Sequence, residues 1–297
     1  MTKENDMKEI MIIVACLPLY VLNSICDKYI STLSGNRYNY PYNMFKFFLS
    51  GLCLLPIFLT DSAPRFTAEV ILCGISCGII YAISKIVTLK GFEESSVAFI
   101  TFCHSAGMII PCVIGHFFWS EPIRIPAAIG MILAVFSAVL LKDAPQQKMH
   151  YHGLLYGGIV FVTSGGVMIC QKLMGLYFFE SSISAYNFYA FMVSAMIVGL
   201  LMKMKKREEK NATYSIEKIK RKILLCAAGS GISLGMINLV MTKMAGKIPS
   251  VILFPLFNGL GVILVCFGSA IVFSEKITPK KAVGLFIGLI GLFLVNL

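Results

Sequence analysis

Apolar residues along this chain come in long blocks separated by short polar connections. Ten blocks, at about 9–29, 43–60, 69–91, 96–118, 123–142, 153–174, 183–202, 223–245, 250–273 and 278–296, are each long enough, or nearly so, to cross a hydrocarbon core of roughly 30 Å as a helix. The longest connection, 203–222, spans about twenty residues and is heavily basic, which leaves no room for a soluble domain between blocks. The first block lacks a basic leader and a small-residue cleavage site, so it reads as a span and not as a cleavable signal. The pattern therefore predicts an all-α integral membrane protein with ten transmembrane helices.

The polar punctuation repeats. "WSEPIRIPAAIG" (119–130) returns as "FSEKITPKKAVG" (273–284), with Ser120, Glu121 and Gly130 matching Ser274, Glu275 and Gly284 at an offset of 154. The same offset relates Ser76 and Thr88 to Ser230 and Thr242, Ser96-Val97 to Ser250-Val251, and Cys112 to Cys266. Earlier in the chain the offset is 144: "SICDKYI" (24–30) aligns with "MICQKLM" (168–174), and Tyr42-Asn43 and Ser50 align with Tyr186-Asn187 and Ser194. The chain divides into two five-helix repeats, 1–145 and 150–297. An odd number of spans per repeat makes the second enter the bilayer from the opposite side. The repeats are then inverted about an axis in the membrane plane, an arrangement common among secondary transporters.

A helix ending in "FWSE" or "FSEK", followed by a helix with an early glycine ("IPAAIGMILAVFSAVLL", "PKKAVGLFIGLIGLFLV"), doubled in about 300 residues, resembles the drug/metabolite transporter superfamily, and within it the EamA-like group. The resemblance covers nearly the whole chain. It implies a central cavity lined by spans 1–4 and 6–9, with spans 5 and 10 at the periphery. It also implies a cargo among amino acids, drugs, nucleotide sugars, sugar phosphates and other metabolites, here read as exported small polar or amphipathic compounds such as amino acids.

Composition adds limits. Hydrophobic residues make up 57% of the chain and charged ones 14%, too few to clothe a soluble protein of this size. The net charge of +11 suits anionic lipid headgroups, since no basic module interleaved with aromatics points to nucleic acid. The ten cysteines lie in or beside apolar blocks without metal-ligand spacing and read as free structural thiols; no metal and no cofactor is expected. Lys and Arg concentrate in the odd-numbered connections, which by the positive-inside rule places both termini outside, whereas the resembled family implies cytoplasmic termini. Compact loops suggest a prokaryotic inner membrane.

Polar groups at depth are costly in lipid and mark cavities or helix contacts. His104 lies eight residues into the fourth block, about 12 Å deep at 1.5 Å per residue, and its repeat partner is Asn258. Either pair member can orient a polar substrate or join neighbouring helices. Ser84 and Asn238 form a second matched pair, with Tyr81 one turn before Lys85, and Asn23 and Tyr20 on the first span. All 15 acidic residues read as lying at helix ends or in loops, Asp27 among them; the lysines Lys28 and Lys172 read as snorkelling to the interface, while Lys85 reads as lying inside the third span, within reach of the cavity. The mid-membrane Glu of the small multidrug resistance branch is absent, which leaves His104 as the buried group able to carry a proton near neutral pH. Glu121 and Glu275 read as structural corner caps reaching the amides of the following helix. Gly284 and Gly288, with Gly291, form a small-residue stripe suited to packing within the chain or to a homodimer face. An intramembrane enzyme is disfavoured, since no acidic dyad, HExxH or second buried histidine is present. A membrane sensor acting through 203–222 is the alternative to transport. Few basic groups are expected in the cavity, so amino acids or near-neutral metabolites are favoured over heavily anionic cargo.

Overall fold

The computed structural model describes residues 3–34, 39–61, 67–94, 97–140, 151–178, 182–208, 217–274 and 278–295. Every element among them is an α-helix: α1 (Lys3–Ala15), α2 (Leu17–Ser34), α3 (Asn39–Thr60), α4 (Ala68–Glu94), α5 (Val97–Ala106), α6 (Ile109–Trp119), α7 (Ile125–Leu140), α8 (Tyr151–Tyr177), α9 (Ile183–Glu208), α10 (Glu217–Ala245), α11 (Ser250–Phe273) and α12 (Pro279–Val295). Seven helical segments among the described residues are long and apolar enough to cross a membrane: Lys8–Ile30, Asn39–Thr60, Ala68–Gly91, Tyr151–Tyr177, Ile183–Met204, Arg221–Ala245 and Ser250–Phe273. The blocks at 96–118, 123–142 and 278–296 coincide with shorter apolar helices, Cys103–Trp119, Ile125–Ser137 and Ala282–Leu294. The perimeter is apolar, with Phe118 79% and Ile271 81% exposed. Such a surface would drive aggregation in water and is matched by lipid tails.

Two expected spans are broken, each for a local reason. The first block splits at Cys16 into α1 and α2, just before Pro18, whose ring and missing N–H disfavour an unbroken helix. The fourth block splits at Gly107-Met108, between α5 and α6. There the backbone presses on α8: a Cβ on Gly107 would meet the Phe161 carbonyl at 2.9 Å and the Gly165 nitrogen at 3.0 Å. Pro111 follows inside the first turn of α6, where its missing N–H costs little, whereas Pro56 and Pro255 are carried inside the continuous helices α3 and α11.

The centre of the bundle is a group of helix pairs. α3 packs on α9, with α10 against α3 and α4 against α9. α4 also packs on α8, and α10 on α2; α5 lies against α8, and α11 against α2. Phe47, Leu54, Tyr186 and Phe191 are the largest buried side chains where α3 meets α9. α7 and α12 form a separate close pair. Ser137 Oγ donates to the Gly284 carbonyl at 2.7 Å, and a Cβ on Gly291 would meet the Gly130 carbonyl at 2.8 Å. The glycine stripe of α12 is thus occupied by α7 of the same chain.

The recurring Ser-Glu pair has a backbone reason. Ser120 and Ser274 end α6 and α11 in the left-handed region, at φ 52° and 53°, and the Glu121 N–H returns to the Gly115 carbonyl at 3.1 Å. Left-handed backbone is strained for any residue with a Cβ. Ser120→Gly is therefore expected to raise stability by about 1 kcal/mol and Ser120→Val to lower it by about 1–2 kcal/mol. Thermal unfolding of the two variants in detergent checks the order, and a Val variant as stable as the Gly variant would count against it.

Candidate functional site

The densest polar group in the bundle is a charged cluster on Asp27. It sits within α2, because that helix runs past the apolar block to Ser34. Asp27 is therefore no helix-end residue, contrary to the expectation for all acids, and the polar stretch around it stays helical by facing other helices. Tyr42 and Lys46, four apart on α3, share one face and meet it. The Tyr42 hydroxyl donates to Asp27 Oδ1 at 2.6 Å, and Lys46 Nζ donates to Oδ1 at 2.7 Å and Oδ2 at 2.8 Å. Having spent its proton on the carboxylate, the Tyr42 oxygen can accept from the Ser230 hydroxyl of α10, 2.8 Å away. Lys85 of α4 stands 3.8 Å from Asp27 Oδ2, an ion pair beyond hydrogen-bond length.

Exposure separates the members of the cluster. Lys46 is 1% exposed, whereas the side chains of Asp27 and Lys85 keep 33% and 31%. Tyr20 and Tyr81 are likewise only partly buried. Tyr20, Asn23 and Asp27 recur at i, i+3 and i+7, one stripe of α2. Asn23 Oδ1 is buried without a hydrogen-bond partner among the described residues. On α4, Tyr81 precedes Lys85 by one turn. Its hydroxyl and Gln171 Nε2 (2.7 Å) both donate to Asn238 Oδ1, while Asn238 Nδ2 donates to the Leu234 carbonyl at 2.9 Å. Asn238 is thus held rigidly between α4, α8 and α10. Ser84 is buried beside Lys85.

His104 and Asn258 occupy a different place. Asn258 donates to the Phe254 carbonyl at 2.9 Å and lines a small crevice with Ser105, Ser137 and Gly288. His104 is exposed on α5, and its neighbour Ser105 is the residue turned into that crevice. One residue rotates the side chain about 100° round a helix, and the break at Gly107 sets the phase of α5 independently of the repeat.

Glu121 is buried and does cap a helix, though not the following one. Its Oε2 accepts from the Ser250 N–H at 2.7 Å, at the start of α11 in the other half of the chain, and its Oε1 pairs with Lys172 Nζ at 2.6 Å. Lys172 also donates to the Ile248 carbonyl at 3.0 Å. Lys172 is 2% exposed, so it does not snorkel; it sits in a dry ion pair. Lys28 instead lies 4.8 Å from the Phe273 ring, a cation–π contact. Glu275 lies outside the described residues.

Lys46 had no place in the sequence reading, because the second span was taken to begin at 43 and its start looked interfacial. A signal was present. Under the repeat offsets Asp27, Lys46 and Lys85 align with Gln171, Ala190 and Leu239, so the cluster sits where the halves differ in charge. Among the described residues no group of His, Cys, Asp and Glu is arranged to hold a metal.

No family model matches the chain. No curated protein matches it in sequence either. Among solved structures 28 chains match. One of them, described only as "Crystal structure of protein", superposes with a TM-score of 0.75 over 97% of this chain and 96% of that one at 11% identity, a likeness of fold alone.

Proposed function

We propose that the chain is a secondary transporter of small metabolites, of the drug/metabolite transporter type and EamA-like group, built as two inverted five-helix repeats that give alternating access to a site on Asp27. The observation that carries this reading is a charged cluster, one carboxylate between two lysines of two other helices, within an otherwise apolar bundle. Charged groups within membrane-spanning helices are expensive and mark a path for polar solute.

The helix pairings support the repeat. Exchanging the halves turns α4·α8 into α10·α2, α5·α8 into α11·α2, and α4·α9 into α10·α3, while α3·α9 and α7·α12 map onto themselves. Such exchange is what a two-fold relation between inverted repeats requires. Ten spans follow if the shorter apolar helices also cross. Under this topology the Glu121–Lys172 pair seals the end where α6 and α8 finish and α11 begins. The Asp27 cluster lies toward the opposite end, on the side of the odd-numbered connections that carry most of the Lys and Arg. The charge bias makes that side cytoplasmic.

The test is uptake of a labelled panel into proteoliposomes, with and without a pH gradient. Saturable uptake of at least one compound above empty liposomes is expected. Folded protein that moves no compound of any class would overturn the reading.

A further inference from the structure

We propose that Lys85 receives an oxyanion of the cargo, so that the site takes small organic anions, carboxylates or phosphate monoesters, in preference to neutral or cationic molecules. This rests on the transport reading above and names its substrate class.

The charges of the site do not cancel. One carboxylate, Asp27, faces two ammonium groups, Lys46 and Lys85, and among the described residues these three pair only with one another. The carboxylate is already engaged: Tyr42 and Lys46 donate three hydrogen bonds to its two oxygens. Lys46 is enclosed and fixed on both of them. Lys85 is held only by the 3.8 Å approach to Oδ2, and its ammonium makes no hydrogen bond among the described residues. It is also the cation that keeps surface, 31% of its side chain.

An ammonium with three unspent donors in a low-dielectric interior is a ready partner for an oxyanion, and the pair forms a charge-assisted hydrogen bond. A carboxylate would bring the cluster from net +1 to neutral, and a phosphate monoester, at about −1.5 to −2, to slightly below it. A cation would raise the charge and find the carboxylate already covered. This departs from the preference for near-neutral cargo reached from sequence, because that preference did not include Lys46 or its pairing with Asp27.

The experiment is proteoliposome uptake of lactate, glycerol 3-phosphate, alanine, xylose and tetraphenylphosphonium by the full chain and by Lys85→Gln and Lys85→Arg, with size exclusion in detergent confirming the fold of each. Saturable uptake of lactate or glycerol 3-phosphate is expected, reduced about tenfold to a hundredfold in Lys85→Gln and largely kept in Lys85→Arg. The two anions separate a carboxylate from a phosphate cargo. Inhibition of wild-type uptake by acetate or inorganic phosphate, and not by ammonium, reads the same point without a variant. Uptake confined to alanine, xylose or tetraphenylphosphonium, or anion uptake unchanged in Lys85→Gln, overturns this inference and leaves transport standing. No saturable uptake of any compound overturns both.

Discussion

Asp27→Ala is expected to abolish uptake and to destabilise the folded chain by about 3–5 kcal/mol, because it leaves the enclosed Lys46 ammonium without a counter-ion. The loss reflects an orphaned charge more than a missing attraction. A double variant, Asp27→Ala with Lys46→Met, is therefore expected to recover most of the stability, since a buried ion pair replaced by apolar groups of similar volume is often close to neutral. It is not expected to recover uptake, because the carboxylate that positions Lys85 is gone. Thermal unfolding in detergent and proteoliposome flux separate the two effects. If the single variant is as stable as the double, the pair does not carry the role assigned to it; if the double variant transports, the cluster is not the site.

Glu121→Ala should act at the other end of the bundle. It removes the partner of the buried Lys172 and the cap of the Ser250 N–H together, across a contact between the two halves of the chain. A cost of about 3–5 kcal/mol is again expected if the halves stay closed. The alternative for the protein is to separate there and let water reach Lys172. Cys112 reports which occurs: it is fully buried, with Sγ 3.5 Å from the Ser250 carbonyl. In a background where the other cysteines are replaced, Cys112 should resist a water-soluble maleimide in the otherwise unaltered chain and react in Glu121→Ala. Equal protection in both, with equal thermal stability, would remove Glu121 from any sealing role.

Several of these groups were readable in the sequence and several were not. Tyr81, Asn238, Tyr20 and Asn23 stood out because a polar residue deep in an apolar block is conspicuous; the structure joins Tyr81 to Asn238 and packs Tyr20 on Phe257. Glu121 was read correctly as a helix cap, but its helix was misassigned. The nearest helix in the chain is the natural guess, and the amide it binds belongs to Ser250, 129 positions away. His104 and Asn258 were paired by the repeat, yet the helix break at Gly107 rotates α5, and Ser105 takes the place beside Asn258. Asp27 and Lys46 were passed over because each lies near the edge of an apolar block, where a charge is ordinarily wet.

Apolar block length and the doubled Ser-Glu motif were enough to establish a helical chain suited to a membrane, since the thickness of the bilayer and the left-handed turn after a helix are local constraints written in consecutive residues. The ends of those helices, the partner of each buried charge and the direction in which each polar face points were set by packing. A charge survives inside such a bundle only where a counter-charge from another helix meets it. Asp27 and Lys46 are 19 positions apart, Glu121 and Lys172 farther still, and no local pattern announces that they touch.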